Sequence, residues 1–201
     1  MLKRKEVSFY GEIIAALKEQ MESIFKIKYP GKNLSVYFKT NTGEEGVRAE
    51  NFKKGLQDLV EDYPEECECM IDYANDAPPL LLDIFFIVTN GEIYKVGIVE
   101  VKYVGTLGLS EYSQLIGYCI ASNVELGILM NVDGGISKPL FDLTPPDSYL
   151  TKIKHIVGDK ELYHEMAIMK WDSSVQDFSS FGNRGNFHSI EQLCDKIATF
   201  F

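Results

Sequence analysis

The stretch GIVEVKYVG (residues 97–105) sets Glu100 and Lys102 among Ile98, Val99, Val101 and Val104. The β-branched run predicts a buried strand. Burying an ionised group is costly unless it is paired, hydrogen-bonded or bound to metal. The segment therefore holds either an internal ion pair or a binding site. Just upstream, LLLDIFFIV (residues 80–88) reads as a second apolar strand carrying one acid, Asp83, and the link TNGE contains Asn90-Gly91, a strong hairpin signal. A two-residue turn there makes Thr89 face Glu92 and Asp83 face Ile98. Glu100 is then the diagonal neighbour of Asp83 on one face, with Lys102 next along it. A one-residue slip would put the two acids on opposite faces.

Two carboxylates converging from such positions, with the Val101 main-chain carbonyl, supply the hard oxygen ligands that Mg²⁺ or Mn²⁺ prefers. Such an ion lowers the pKa of a bound water and neutralises charge on a phosphoryl group. Lys102 beside it can orient the water and stabilise developing negative charge.

Working outward, apolar residues at helical spacing (Phe9, Ile13, Leu17, Met21, Ile24) predict a helix over 8–27, ended by Tyr29-Pro30-Gly31. LSVYFKT (34–40) alternates like a strand, NTGEEG is a loop, and Phe52, Leu56, Leu59, Val60 and Tyr63 predict a helix over 47–63. An acidic loop follows, EDYPEECECMIDYANDAPP. After the hairpin come a helix over 109–123, a buried strand over 125–132, a Gly/Pro-rich connection through Pro146, and a segment (149–157) of undecided state. A strand ending near Trp171, a loop around SSFGNRGNF and a C-terminal helix (about 189–201) complete one α/β domain, 1–201.

On these residues the chain resembles the PD-(D/E)XK nuclease superfamily, whose signature is an Asp on one strand and Glu/Asp-x-Lys on the next. The order helix, three strands, helix, strand resembles that superfamily's restriction-endonuclease-like αβββαβ core, a mixed sheet flanked by helices. The core would span about 8–132, with an insertion at 41–79 and a C-terminal extension at 133–201. Gln114-x-x-x-Tyr118 on the helix after the lysine strand resembles the Q-x-x-x-Y of RecB-like members, where the pair helps hold substrate. Glu12, at the edge of the first helix's apolar stripe, either faces solvent or completes the metal shell, as a first-helix acid does in relatives. No Pro precedes Asp83. The cysteines (Cys67, Cys69, Cys119, Cys194) do not match the four-cysteine cluster of the RecB-like adaptation nucleases, so no iron–sulfur cluster is expected.

Bulk properties fit a single soluble domain. The chain has 201 residues, 45% hydrophobic and 25% charged, enough for a real core. No long uncharged apolar run predicts a membrane span, and the basic start reads as an amphipathic helix rather than a signal peptide. Reduced thiols and a cytoplasmic setting follow, whether the gene is cellular, viral or carried by a mobile element. The net charge of −10 argues against a simple nucleic-acid coat, yet residues 61–92 hold nine acidic residues and no basic one, so most of the excess sits in one block.

Other features read blandly. His155, His164 and His188 lack ligand spacing and are expected on the surface or satisfied in the core. VDGGISKPL lacks the phosphate-loop lysine pattern and is a turn. Arg184 in GNRGN stands in a flexible loop or touches phosphate. Trp171 is core. The expectation is a Mg²⁺- or Mn²⁺-dependent deoxyribonuclease acting by metal-activated water, an end-processing or junction-cleaving enzyme whose partner is DNA. Its metal ligands are Asp83, Glu100 and the Val101 carbonyl, with Glu12 as the open case. Lys102 assists, and Gln114 and Tyr118 bind substrate. The alternative is a non-catalytic nucleic-acid-binding or assembly protein on that fold. A homodimer is expected through the exposed faces of the 47–63 and C-terminal helices, with Phe200-Phe201 at that contact or packed on its own core.

Overall fold

The structure is a computed structural model that describes residues 6–41, 48–143, 150–181 and 188–201. A 3₁₀ turn (Glu6–Phe9) leads into α1 (Tyr10–Lys28), whose stripe of Tyr10, Ile13, Ile14, Leu17, Met21 and Phe25 is buried. β1 (Ser35–Thr40) follows, then α2 (Phe52–Asp62), α3 (Pro64–Cys67) and α4 (Ile71–Asp76). Next come β2 (Ile84–Thr89), β3 (Tyr94–Lys102), β4 (Thr106–Leu107) and α5 (Leu109–Ser122). The chain continues through β5 (Leu126–Val132), β6 (Gly135–Ile136), α6 (Lys138–Leu143), β7 (Thr151–Val157), β8 (Lys160–Asp172), β9 (Asp177–Ser179) and α7 (Ile190–Ala198).

The main sheet runs β1-β2-β3-β5-β8-β7, with β9 added on β8. β1, β2 and β3 are antiparallel neighbours; β3, β5 and β8 are parallel. One face carries α1 and α7, packed on Ile84, Phe86, Val99, Val101 and Met130. The other carries α2, α4 and α5, packed on Phe85, Ile87, Ile98 and Leu129. Covered on both faces, β2 and β5 are apolar at nearly every position rather than alternating. Gly97 in β3 is required by close packing: a Cβ there would lie 2.1 Å from the ring of Phe86 on the adjacent strand.

Three expectations change. The hairpin turn has four residues, not two. Thr89 pairs with Tyr94, and Asn90 Oδ1 accepts from the amides of Glu92 (3.0 Å) and Ile93 (2.9 Å). This Asx-type turn outcompetes the tight one because the Asn90 side chain satisfies two loop amides. The register moves by two residues, so side chains keep their faces and Asp83 comes directly opposite Glu100.

Second, the acidic block is not a loop. Cys67, Met70, Ala74 and Ala77 recur at helical spacing and are buried against Phe52, Leu56 and Leu59, while most of the carboxylates face outward. α2 itself begins at Phe52, with Asn51 Oδ1 capping the Lys54 amide at 3.0 Å.

Third, the extension at 133–201 is part of the same sheet: β8 lies beside β5, and α7 packs on α1. Lys28 ties the two helices through Glu191 (3.0 Å) and Asp195 (2.6 Å). The undecided segment is β7. Trp171 is fully buried, and Phe200 and Phe201 pack on their own core. Among the described residues no helix is long and apolar enough to cross a membrane.

Candidate functional site

β3 emerges between β2 and β5, and its last residues meet the segment just ahead of β2. Asp83, in the bend before β2, turns its carboxylate into the sheet edge, where Oδ2 accepts from the Val101 amide at 3.0 Å. Its carbonyl accepts from the Thr40 hydroxyl at 2.5 Å, so β1 and β3 both fix it. Glu100 is only 2% exposed. Lys102, two residues on and therefore on the same face, donates to Glu100 Oε1 at 2.5 Å. Beyond the strand, Glu6 Oε2 accepts from the Tyr103 amide at 3.1 Å. The Tyr10 hydroxyl lies 3.4 Å from Glu6 Oε1 and also reaches Asp83.

Three carboxylates thus share one ammonium group. Burial, reinforced by the charge of Asp83, pushes Glu100 from its ordinary 4.5 up to about 7, against the opposing pull of Lys102. Glu6 is raised for the same reasons, burial first and Asp83 second. Burial works to lower Lys102, but its bond to Glu100 and the three acids outweigh it, leaving the ammonium held above its usual range. Burial and the neighbouring acids hold Tyr10 firmly in its neutral form. The group sits at the C-terminal ends of the parallel strands β3 and β5, the end of an α/β sheet where ligands bind.

The structure brings Asp83, Glu100, Val101 and Lys102 together. Gln114 and Tyr118 instead pair with each other. Gln114 Nε2 donates to Tyr118 Oη at 3.0 Å, one turn apart on α5, and Gln114 is exposed while Tyr112, Leu115 and Cys119 form the buried face. Glu12, on the first turn of α1, is not among the leading charges acting on Glu100 or Lys102; Glu6 is. Glu6 and Tyr10 escape a reading of apolar periodicity, because their role comes from contact with residues 83 and 103. Their only local signal is the i, i+4 spacing of an acid and a tyrosine at a helix start.

Asn131 is also missing from the sequence reading. Fully buried beside Lys102 in the β3–β5 ladder, its Oδ1 accepts from the Val104 amide (3.4 Å) and its Nδ2 donates to the Gly135 carbonyl (2.9 Å), fixing the loop after β3. The histidines are core or paired groups. His188 Nδ1 accepts from the Ile168 amide at 2.8 Å, and His164 bonds the Val124 carbonyl and stacks on His155. Arg184 lies outside the described residues.

Among the described residues no set of three or more His, Cys, Asp or Glu side chains is gathered as a metal site. The donor chemistry nonetheless fits a hard divalent cation, since the acids outnumber the one ammonium group and the charge of Asp83 raises the proton affinity of Glu100 and Glu6. A cleft of about 550 Å³, lined by Leu150, Lys152, Glu165, Gln192, Lys196 and Thr199 among others, sits toward the opposite end of the parallel strands. In comparisons with known proteins, the chain matches no family model, no curated protein and no solved structure.

Proposed function

We propose that this chain is a Mg²⁺- or Mn²⁺-dependent deoxyribonuclease of PD-(D/E)XK type, hydrolysing phosphodiester bonds in intracellular DNA. The observation that carries this reading is the meeting of Asp83, Glu100 and Lys102 at the C-terminal ends of parallel strands, with Glu6 as a third acid. The element order α1, β1, β2, β3, α5, β5 supports the αβββαβ reading of the core.

In this reading Asp83, Glu100 and the Val101 carbonyl would hold the cation, with Glu6, whose charge acts on both Glu100 and Lys102, as an additional acid beside Glu12. The cation would supply a lowered water pKa and charge neutralisation at the phosphate. The Val101 amide orients Asp83, and Lys102, once Glu100 shares its charge with another cation, is free to steer the attacking water and stabilise the oxyanion. Tyr10, held neutral, is a donor to Asp83 or Glu6 but not a base. Gln114 and Tyr118 offer an exposed polar pair for DNA at some remove. End processing and junction cleavage both suit this site. A homodimer, pairing two such sites along one DNA, is part of the same proposal.

One observation favours a second reading, a non-catalytic assembly or nucleic-acid-binding module: Glu100 and Lys102 already satisfy each other at 2.5 Å. Metal titration separates the two. Mn²⁺ at 100 times its Kd would stabilise the native state by about 2.7 kcal/mol, and Asp83→Asn should abolish that rise in Tm. Labelled linear and four-way-junction DNA should be cut with Mn²⁺ by the parent and at least 100-fold more slowly by Glu100→Ala. Equal cleavage by Glu100→Ala, or a Tm indifferent to Mn²⁺, would sink the enzyme reading.

A further inference from the structure

The end of β1 brings another polar group to this place. Thr40 closes the β1–β2 ladder opposite Ile84, and its hydroxyl holds the Asp83 carbonyl. The next residue, Asn41, therefore stands level with Asp83, in the row that continues to Glu100. Alternation along β1 sets Asn41 in series with Tyr37 and Lys39, on the side packed by α2 and away from Val36 and Phe38.

Both amide atoms of Asn41, Oδ1 and Nδ2, are enclosed, and neither has a hydrogen-bond partner among the described residues. Enclosed polar atoms of this kind are costly when left unpaired, because the water they gave up is not replaced. Among the described residues Asn41 is the one with two separate side-chain polar atoms in this state. Packing alone gives no reason to keep a carboxamide here, because a leucine of similar volume would fill the space without that cost.

The chemistry of the neighbours narrows what the amide is for. Lys102 offers only donors, and Asp83, Glu100 and Glu6 offer only acceptors once ionised. A carboxamide offers one of each and adds no charge to an already over-acidic group. A phosphodiester presents only acceptors, whereas a water molecule presents donors. We infer that Asn41 is a substrate-positioning residue: Nδ2 donates to a non-bridging phosphodiester oxygen, and Oδ1 accepts from the attacking water. The inference rests on the nuclease reading for its substrate, and on the enclosed amide for its residue.

The test uses Asn41→Leu, with Asn41→Ala as a second variant in case leucine overfills the site. Tm without metal or DNA is measured beside the Kd for a fluorescein-labelled DNA duplex, with Ca²⁺ in place of Mg²⁺ to suppress turnover. The expected result is a Tm equal to or above the parent's, with Kd weakened about tenfold, as the loss of hydrogen bonds to a charged group implies. Asn41→Ser should restore part of the affinity. A Tm lowered by several degrees in both apolar variants, with DNA affinity intact, would make Asn41 a structural residue and overturn the inference. Unchanged Tm and unchanged Kd would overturn it equally. If the parent neither cuts DNA nor responds to Mn²⁺ while Asn41→Leu still weakens DNA binding, the nuclease reading falls and Asn41 stands as a nucleic-acid contact.

Discussion

The two ends of the parallel strands carry the same kinds of residue and treat them differently. At the start of β3 and β5, Lys95 bonds Glu125 at 2.6 Å and lies over the Phe200 ring at 4.6 Å. Nearby, Lys196 bonds Glu165 at 2.9 Å and shares that ring. Each of these acids has its own lysine, and an aromatic face takes up residual cation charge. At the other end one lysine, Lys102, serves Asp83, Glu100 and Glu6. Balanced pairs hold the α7 end together. The unbalanced end has more acid than base around one buried carboxylate, an arrangement that would suit a further cation. An ion pair alone therefore says little; the count of acids per base at each end says more.

The largest expected effect that tests this contrast is at Lys102. Lys102→Met removes the one base and leaves Glu100 buried without its partner, a change that should cost about 3–5 kcal/mol at pH 8 by thermal or urea unfolding. At pH 5.5 much of that loss should be recovered, because a protonated Glu100 no longer requires the ammonium group. A loss equal at both pH values would mean that Lys102 acts by packing.

Somewhat smaller is the pH dependence of the parent. Glu100 has its folded-state pKa raised from 4.5 to about 7, so between those values the native state binds more protons than the unfolded one. Stability from this group is full below about pH 4.5 and is lost as pH rises toward 7, by up to about 3 kcal/mol. Glu6 acts in the same direction. Glu100→Gln should flatten that slope in urea melts taken from pH 5 to 8, and Mn²⁺ should stabilise the parent more at pH 8 than at pH 5.5. A slope that survives Glu100→Gln unchanged would place the titrating group elsewhere.

The smallest effect belongs to the balanced end. Lys95→Met and Lys196→Met remove partly exposed pairs and should each cost about 1 kcal/mol or less, leaving the proposed DNA cleavage unchanged. A larger cost, or lost cleavage, would show that the two ends are energetically coupled.

Much of the framework was legible in consecutive residues. Period-2 and period-3.6 patterns mark α1, β1, β3, α5 and α7 to within a few residues, and the sense of the β2–β3 register survived a turn of the wrong length because a shift of two preserves sidedness. The run of acids in residues 61–79 hid a short helical layer, since its buried Cys67, Met70 and Ala74 are small or isolated among charges. Within the site, Asp83, Glu100 and Lys102 could be read from the chain because strand geometry relates them at close range. Glu6, Tyr10, Asn41 and Asn131 could not. Glu6 meets Tyr103 across 97 residues, and Thr40, next to Asn41, meets Asp83 across 43. The sequence by itself determined which segments are strands and helices and which strand carries charge, because side-chain periodicity is a local property. Only the tertiary structure decided how many acids share Lys102, because that depends on where β1, α1 and the approach to β2 converge.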